Sequence, residues 1–344
     1  MKTTLGFKPK QSVKNLLQAL PERSRDVITK RYGLGKDSEP MTLDAIGKTY
    51  GITRERVRQI ENHALGIIRK SKNYTEEKPA FDEIEKTIHS LGCIVVEQEL
   101  LSHMSKDSSV QSCINFLLVV GHPFNKIKED EDFKHRWYID SDLTEKVQTS
   151  IKKLYDNIGD NSLISEQELV KTFLGYVENV SEQYKNEETA KRWLSLSKNI
   201  SKNPLGEWGK TKSSNISTKG MRDYAYLVIR KHGSPIHFRE VAKAITSVFN
   251  VKAHVATTHN ELIKDSRFVL VGRGLYALSE WGYMSGVVKD VIRKVLETNG
   301  PMTKQEIVNK VMKERYVKEN TIVINLQNKK YFKKNKDGKY EIVK

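Results

Sequence analysis

Apolar residues recur along most of this chain in steps of three and four, the spacing of helices with one buried face; alternating stretches are few and short. The clearest stripe is Val57, Ile60, Ala64 and Ile68, which stand 3, 4 and 4 apart. At about 100° per residue they fall on one narrow side of a helix that Thr53 can cap. Just before it, Thr42 opens a shorter helix carrying Leu43, Ala45 and Ile46 inward, and Gly51 supplies the turn. Residues 42–70 are therefore expected to form a helix-turn-helix. Glu55, Gln59 and Asn62 fall opposite the stripe, flanked by Arg54, Arg58 and Arg69. One face packs on a small core, while the other offers Arg, Gln, Asn and Glu groups able to read base edges in a major groove. A merely solvated polar face is the plain alternative. The turn pattern, and the planar hydrogen-bonding groups at the start of the second helix, favour duplex reading.

The same periodicity sketches the rest. Val13, Leu16, Leu17 and Leu20 make a stripe that Pro21 ends, and Arg23 to Tyr32 is a helix stopped by Gly33. Gly35 to Pro40 reads as loop, and the polar run SKNYTEEKP (71–79) as a linker. From Phe81, three helices (through Leu91, Val96 to Met104, Val110 to Val120) precede two short strands, Phe124–Ile127 and Trp137–Ile139. Three helices and a hairpin are the winged-helix order. Its acidic tip, Glu129 to Asp132, would repel phosphate, so this module is expected to face protein; consecutive carboxylates on a hairpin point alternately and do not converge on a metal. Leu143 to Ile158, Ser165 to Val177 and Thr189 to Ile200 are further helices, with Ser165 and Glu168 as a capping pair. They fit either a degenerate winged helix or a helical connector. Gly209 to Lys219 reads as a Ser/Thr-rich linker.

Residues 221–283 repeat the plan of three helices and a hairpin, and their Gly-Arg-Gly turn puts Arg273 at a wing tip, within reach of a phosphate. Leu262 and Leu326, Phe268 and Phe332, and Tyr276 and Tyr340 each stand 64 residues apart, so 286–344 is expected to be a second copy. Its recognition-helix candidate is Glu319 to Asn328. Lys329, Lys330, Lys333, Lys334 and Lys336 surround an Asp337-Gly338 turn as a candidate phosphate-binding wing.

From Leu20 to Lys70 the motifs LPERSRDVITKRYGL, TLDAIG and TRERVRQIE closely resemble region 4 of sigma-70 type RNA polymerase sigma factors. In that family region 4 reads the −35 promoter element and docks on the flap of the polymerase β subunit. The resemblance implies base reading by Arg54, Glu55, Arg58 and Gln59, with Lys48, Thr53 and Arg56 near phosphates. Asn62-His63 replaces the family's usual Ala-Lys. About twenty residues precede Leu20, too few for the domain that recognises and melts the −10 element, and nothing downstream substitutes for it, so the chain as it stands is not expected to be a complete sigma factor. The block RDYAYLVIRKHGSPIHFREVAKAI through VGRGLYALSEWG resembles the HARE-type helix-turn-helix domain of restriction and chromatin proteins and of the polymerase δ subunit. That resemblance implies a module for DNA or polymerase.

Charge sharpens the picture. Residues 1–74 carry net +9, residues 75–218 net −6 and residues 219–344 net +13, within a total of +16 over 344 residues. The two ends have the balance of polyanion binders and the middle does not. No run of about 18 apolar residues exists, the start lacks a signal-peptide core, and the two cysteines, Cys93 and Cys113, make no disulfide framework; a cytoplasmic, nucleoid-associated protein is expected. No phosphate-loop, nucleophile-elbow or HExxH motif occurs, and Cys93, His103, Cys113 and His122 lack metal-site spacing. His254 and His259 lie about 140° apart on one helix and cannot share a metal. No enzyme activity, cofactor or small-molecule substrate is expected.

The chain thus reads as mainly α with small β wings, in tandem helix-turn-helix and winged-helix modules: 1–74, 80–141, 142–208, 219–284 and 285–344. The function expected is a sigma-like DNA-binding regulator whose partners are double-stranded DNA and RNA polymerase core. The rivals are a δ-like polymerase-bound interaction protein and the DNA-targeting subunit of a restriction or modification system.

Overall fold

A computed structural model describes residues 5–35, 39–284 and 286–343; most of the expected Gly35–Pro40 loop lies outside them. The chain is mostly helical with small antiparallel sheets. Its contacts divide it into two units, Met1–Ser201 with Trp208–Thr211, and Lys202–Glu207 with Lys212–Lys344.

The first unit opens with α1 (Pro9–Leu17), α2 (Glu22–Tyr32), α3 (Leu43–Tyr50) and α4 (Arg54–Lys70). Each boundary has a local cause. Gly33 and Gly51 end α2 and α3 in the left-handed region, with φ of 63° at both. The Thr42 hydroxyl accepts from the Ala45 N–H and the Thr53 hydroxyl from the Arg56 N–H, both at 3.2 Å. Between α3 and α4 the backbone comes so close that a Cβ on Gly47 would lie 2.6 Å from the Ile52 carbonyl oxygen. Val27, Ile46 and Val57 are fully buried where α2, α3 and α4 meet. Farther along α4, Ala64, Leu65 and Ile68 enter a larger core shared with Leu16, Ile28, Ile84, Ile88 and Phe116.

That larger core runs straight through the stretch expected to be a linker. Within residues 71–79 lie α5 (Lys72–Glu76) and the start of α6 (Lys78–Ser90). Their polar side chains are spent on α1: Asn73 Nδ2 donates to the Asn15 carbonyl at 2.5 Å, and Asn15 Nδ2 to Glu77 at 2.6 Å. Tyr74 packs against Phe81 with ring centroids 4.9 Å apart. Polar composition here marks an internal seam, not a tether.

Next come β1 (Ile94–Val96), α7 (Glu97–Met104), α8 (Ser108–Val120), β2 (Asn125–Ile127) and β3 (Arg136–Tyr138), with the strands ordered β1-β3-β2. Strand β1, whose last residue Val96 was expected to open a helix, is buried on both faces. Val95 points into the first core, whereas Ile94 and Val96 join a second core with Val147, Ile151, Phe173 and Trp193. Those last residues belong to α9 (Ser141–Asn157), α10 (Glu166–Tyr176) and α11 (Glu187–Ser195). The acidic tip between β2 and β3 closes on the same unit. Asp130 pairs with Arg136 at 2.8 Å, Glu129 with Lys198 at 2.7 Å and Asp132 with Lys152 at 2.9 Å. Three of its four carboxylates are thus consumed internally. Strands β4 (Ile200–Lys202) and β5 (Trp208–Lys210) follow.

In the second unit Ser213, Asn215 and Ile216 are buried, so the stretch expected to be a Ser/Thr-rich linker is packed. It leads to α12 (Met221–His232), β6 (Ile236–His237), α13 (Phe238–Phe249), α14 (Val255–Lys264), β7 (Phe268–Leu270) and β8 (Leu275–Leu278), with strand order β6-β8-β7. The plan returns as α15 (Val288–Asn299), α16 (Lys304–Glu314), α17 (Glu319–Leu326), β9 (Phe332–Lys334) and β10 (Tyr340–Ile342). Leu262 and Leu326, and Phe268 and Phe332, are all buried. No helix among the described residues is long and apolar enough to cross a membrane.

Candidate nucleic-acid interface

Helix α4 presents two unlike sides. Val57, Ala64 and Ile68 are fully buried, whereas Arg54, Glu55, Arg58, Gln59, Asn62 and His63 are exposed. The exposed side begins at the Thr53 cap, where free backbone N–H groups and the helix dipole add positive potential. Of the residues expected to touch phosphate, Lys48 lies on α3 and Arg56 on the first turn of α4, both exposed.

The exposed side chains are organised in advance. Arg58 grips Glu55 through two hydrogen bonds, Nε at 2.9 Å and Nη2 at 2.7 Å. Arg56 Nη1 donates to Gln59 Oε1 at 3.0 Å, and Lys48 pairs with Asp44 at 2.9 Å. The Arg58 hydrogen bonds hold the Glu55 carboxyl below the usual carboxylate range and raise the Arg58 guanidinium in return; the Asp44 hydrogen bond likewise raises Lys48. Arg54 is left as the leading exposed cation of the helix.

Two residues of α4 have other duties than their position on the helix suggested. Arg69 turns to the end of α8, donating to the Val120 carbonyl at 3.0 Å and the Val119 carbonyl at 2.8 Å. It satisfies carbonyls that the helix end leaves open, so it does not flank the reading side. Glu61 is buried, accepting from the Tyr32 hydroxyl at 2.8 Å with Arg31 at 3.4 Å. Burial, reinforced by the Glu61 carboxylate, pushes the Tyr32 hydroxyl well above the ordinary phenol range. Sequence reasoning missed this triad, which fixes α2 against α4; a charged residue on the apolar side of a stripe was the available signal.

In the second unit, Arg273 is exposed on the Gly-Arg-Gly turn, whose glycines are required by crowding: a Cβ on Gly274, at φ 71°, would lie 2.6 Å from His237 Nε2. Lys329, Lys330, Lys333, Lys334 and Lys336 are all exposed around the β9–β10 hairpin. Asn335 orders the turn by accepting from the Asp337 and Lys339 N–H groups, each at 3.0 Å. Lys333 is engaged by Glu341 at 3.2 Å. Elsewhere, Cys93 bonds the Tyr184 hydroxyl at 3.0 Å and His259 stacks on Phe238 at 4.1 Å. Among the described residues no cluster of three or more His, Cys, Asp or Glu is placed to hold a metal ion.

Helices α2 to α4 are thus a helix-turn-helix of the DNA-binding class. Residues 16–70 match the family described as Sigma-70, region 4. The chain is 40% identical over 74 residues to the RNA polymerase principal sigma factor HrdD of Streptomyces griseus, covering 19% of this chain and 22% of that protein. It is 43% identical over 60 residues to the RNA polymerase sigma factor SigA of a Bacillus species, covering 17% and 16%. The chain spans about a fifth of the length of the curated relatives it matches.

Proposed function

We propose that this protein is a sigma-like transcription regulator that reads a short, −35-like duplex element with the exposed side of α4. Arg54, Glu55, Arg58 and Gln59 meet base edges, with Lys48, Thr53 and Arg56 on flanking phosphates. The observation that carries this reading is the freedom of that side: all four proposed base readers are exposed, while the opposite stripe holds the helix in the core. The proposal continues with RNA polymerase core, engaged through the same domain at the β flap. Residues 219–284 and 285–344 are winged helices, the first HARE-like, and grip neighbouring backbone through Arg273, Lys329, Lys330, Lys333, Lys334 and Lys336. Residues 80–141 and 142–208 are protein-facing modules joined to the reader by the core that runs through α5 and α6. Covalent linkage makes the contacts cooperative by raising effective concentration.

The test is a random-site selection with the full chain, with and without polymerase core. A defined element that Arg58→Ala blurs is the expected result. Selection of no element by the folded protein under either condition defeats the proposal.

A further inference from the structure

Where the turn between β7 and β8 meets the chain entering α17, the second unit forms an open cavity of about 520 Å³. The turn is pinned there: the Tyr316 N–H donates to the Val271 carbonyl at 2.7 Å, and a Cβ on Gly272 would lie 2.9 Å from the Tyr316 carbonyl oxygen. Three cations line the cavity, Arg273, Arg315 and Lys318, and no carboxylate does among the described residues.

Arg315 is the unusual member. It is 4% exposed, and its Nη2 donates to the Met284 carbonyl at 2.7 Å and the Gly286 carbonyl at 2.5 Å. Among the described residues its buried Nε has no hydrogen-bond partner. Burial loosens the proton on its guanidinium, and the Glu314 and Asp290 carboxylates act against that. A buried guanidinium keeps its charge and is costly without an anion beside it. The apolar wall is exposed as well: Leu270, Val287 and Tyr316 are 48%, 60% and 55% open. Positive charge with no carboxylate in the lining, beside open apolar surface and in a volume ordinary for small-ligand pockets of about 300–1,000 Å³, calls for a small amphipathic anion. A duplex backbone is met by fully exposed cations on convex surfaces and does not reach a guanidinium buried this far.

We propose that this cavity binds a small organic phosphate of the nucleoside-phosphate class, its phosphate against Arg315 and Lys318 and its ring against Leu270, Val287 and Tyr316. The site does not depend on what α4 reads.

The experiment is calorimetric titration of the full chain with AMP, ATP, GTP and inorganic phosphate, and separately with a 20-base-pair duplex. K318E removes a cation, V287W fills the cavity, and R315M removes the buried charge. Circular dichroism and melting confirm that each variant folds. At least one nucleotide should bind at least about tenfold tighter than phosphate. K318E should weaken it about tenfold, the scale of one charge-assisted hydrogen bond, and V287W should abolish it. If R315M does not fold, K318E and V287W decide. No nucleotide binding by the folded protein, or binding unchanged in both variants, overturns the proposal. So does loss of duplex binding in K318E and V287W with no nucleotide binding, which would give the cavity to the nucleic-acid backbone.

Discussion

Glu55 and Arg58, one turn apart on the exposed side of α4, hold each other in a two-pronged ion pair at 2.7 and 2.9 Å. Before any base is touched, the carboxylate therefore fixes the plane of the guanidinium. A bidentate arginine reads guanine through its planar fork, so presenting the fork already aligned lowers the entropy lost on binding.

Arg58→Ala should cost about 1–3 kcal/mol on the selected element and flatten preference at one base pair. Competition binding against single-base variants of that element measures this. An unchanged preference profile would remove Arg58 from the reading set.

The pair also sets a pH response. The Arg58 hydrogen bonds hold the folded Glu55 carboxyl below its ordinary range, so the pairing is present above the unfolded value and is lost as pH falls through the folded one. Observed by carbon-13 NMR of glutamate side chains, Glu55 should titrate at lower pH in wild type than in Arg58→Ala.

Replacing Lys333, Lys334 and Lys336 together by Ala should weaken binding to every duplex and leave site preference intact. The slope of log K against log salt should fall by up to about 0.9 for each phosphate contact removed. A slope identical to wild type would take the hairpin off the DNA.

Two positions should separate folding from reading. Gly47→Ala pushes a Cβ against the Ile52 carbonyl and should destabilise by about 1–3 kcal/mol. Arg69→Met should cost about 1–2 kcal/mol by uncapping α8 while leaving site preference unchanged. Chemical denaturation and site selection on the same preparations check both.

Asp130→Ala leaves Arg136, 2% exposed, without its carboxylate. Because Asp130 is itself half exposed and Arg136 also donates to Lys134 O, about 1–3 kcal/mol is expected, below the full cost of an orphaned buried charge. A lowered denaturation midpoint, with DNA binding retained when folded, is the signature.

The helix-turn-helix was legible because its parts act locally. Thr42, Gly51 and Thr53 each do one mechanical job within three residues, and the Val57 to Ile68 stripe needs only helical spacing. What escaped reading depends on distant partners. Asn73 and Glu77 look like linker residues until Asn15, some sixty positions earlier, accepts a hydrogen bond from the first and donates one to the second. Arg69 looks like a groove-flanking cation until the carbonyls fifty residues later come into view. Strands β1 and β6 are three and two residues long, too short to show alternation. The acidic tip is held partly by Lys152 and Lys198, partners too far along the chain for any local pattern to name.

The continuous packing from α1 through α6 to β1 has a consequence for how the molecule would sit on a promoter. Because α4 shares its hydrophobic interior with residues as far along as Trp137, the reading head cannot swivel on a hinge. Seating α4 in a groove would orient the acidic body behind it at the same moment. Sequence choice by α4 would then dictate which way that body faces along the duplex, and what it can meet there.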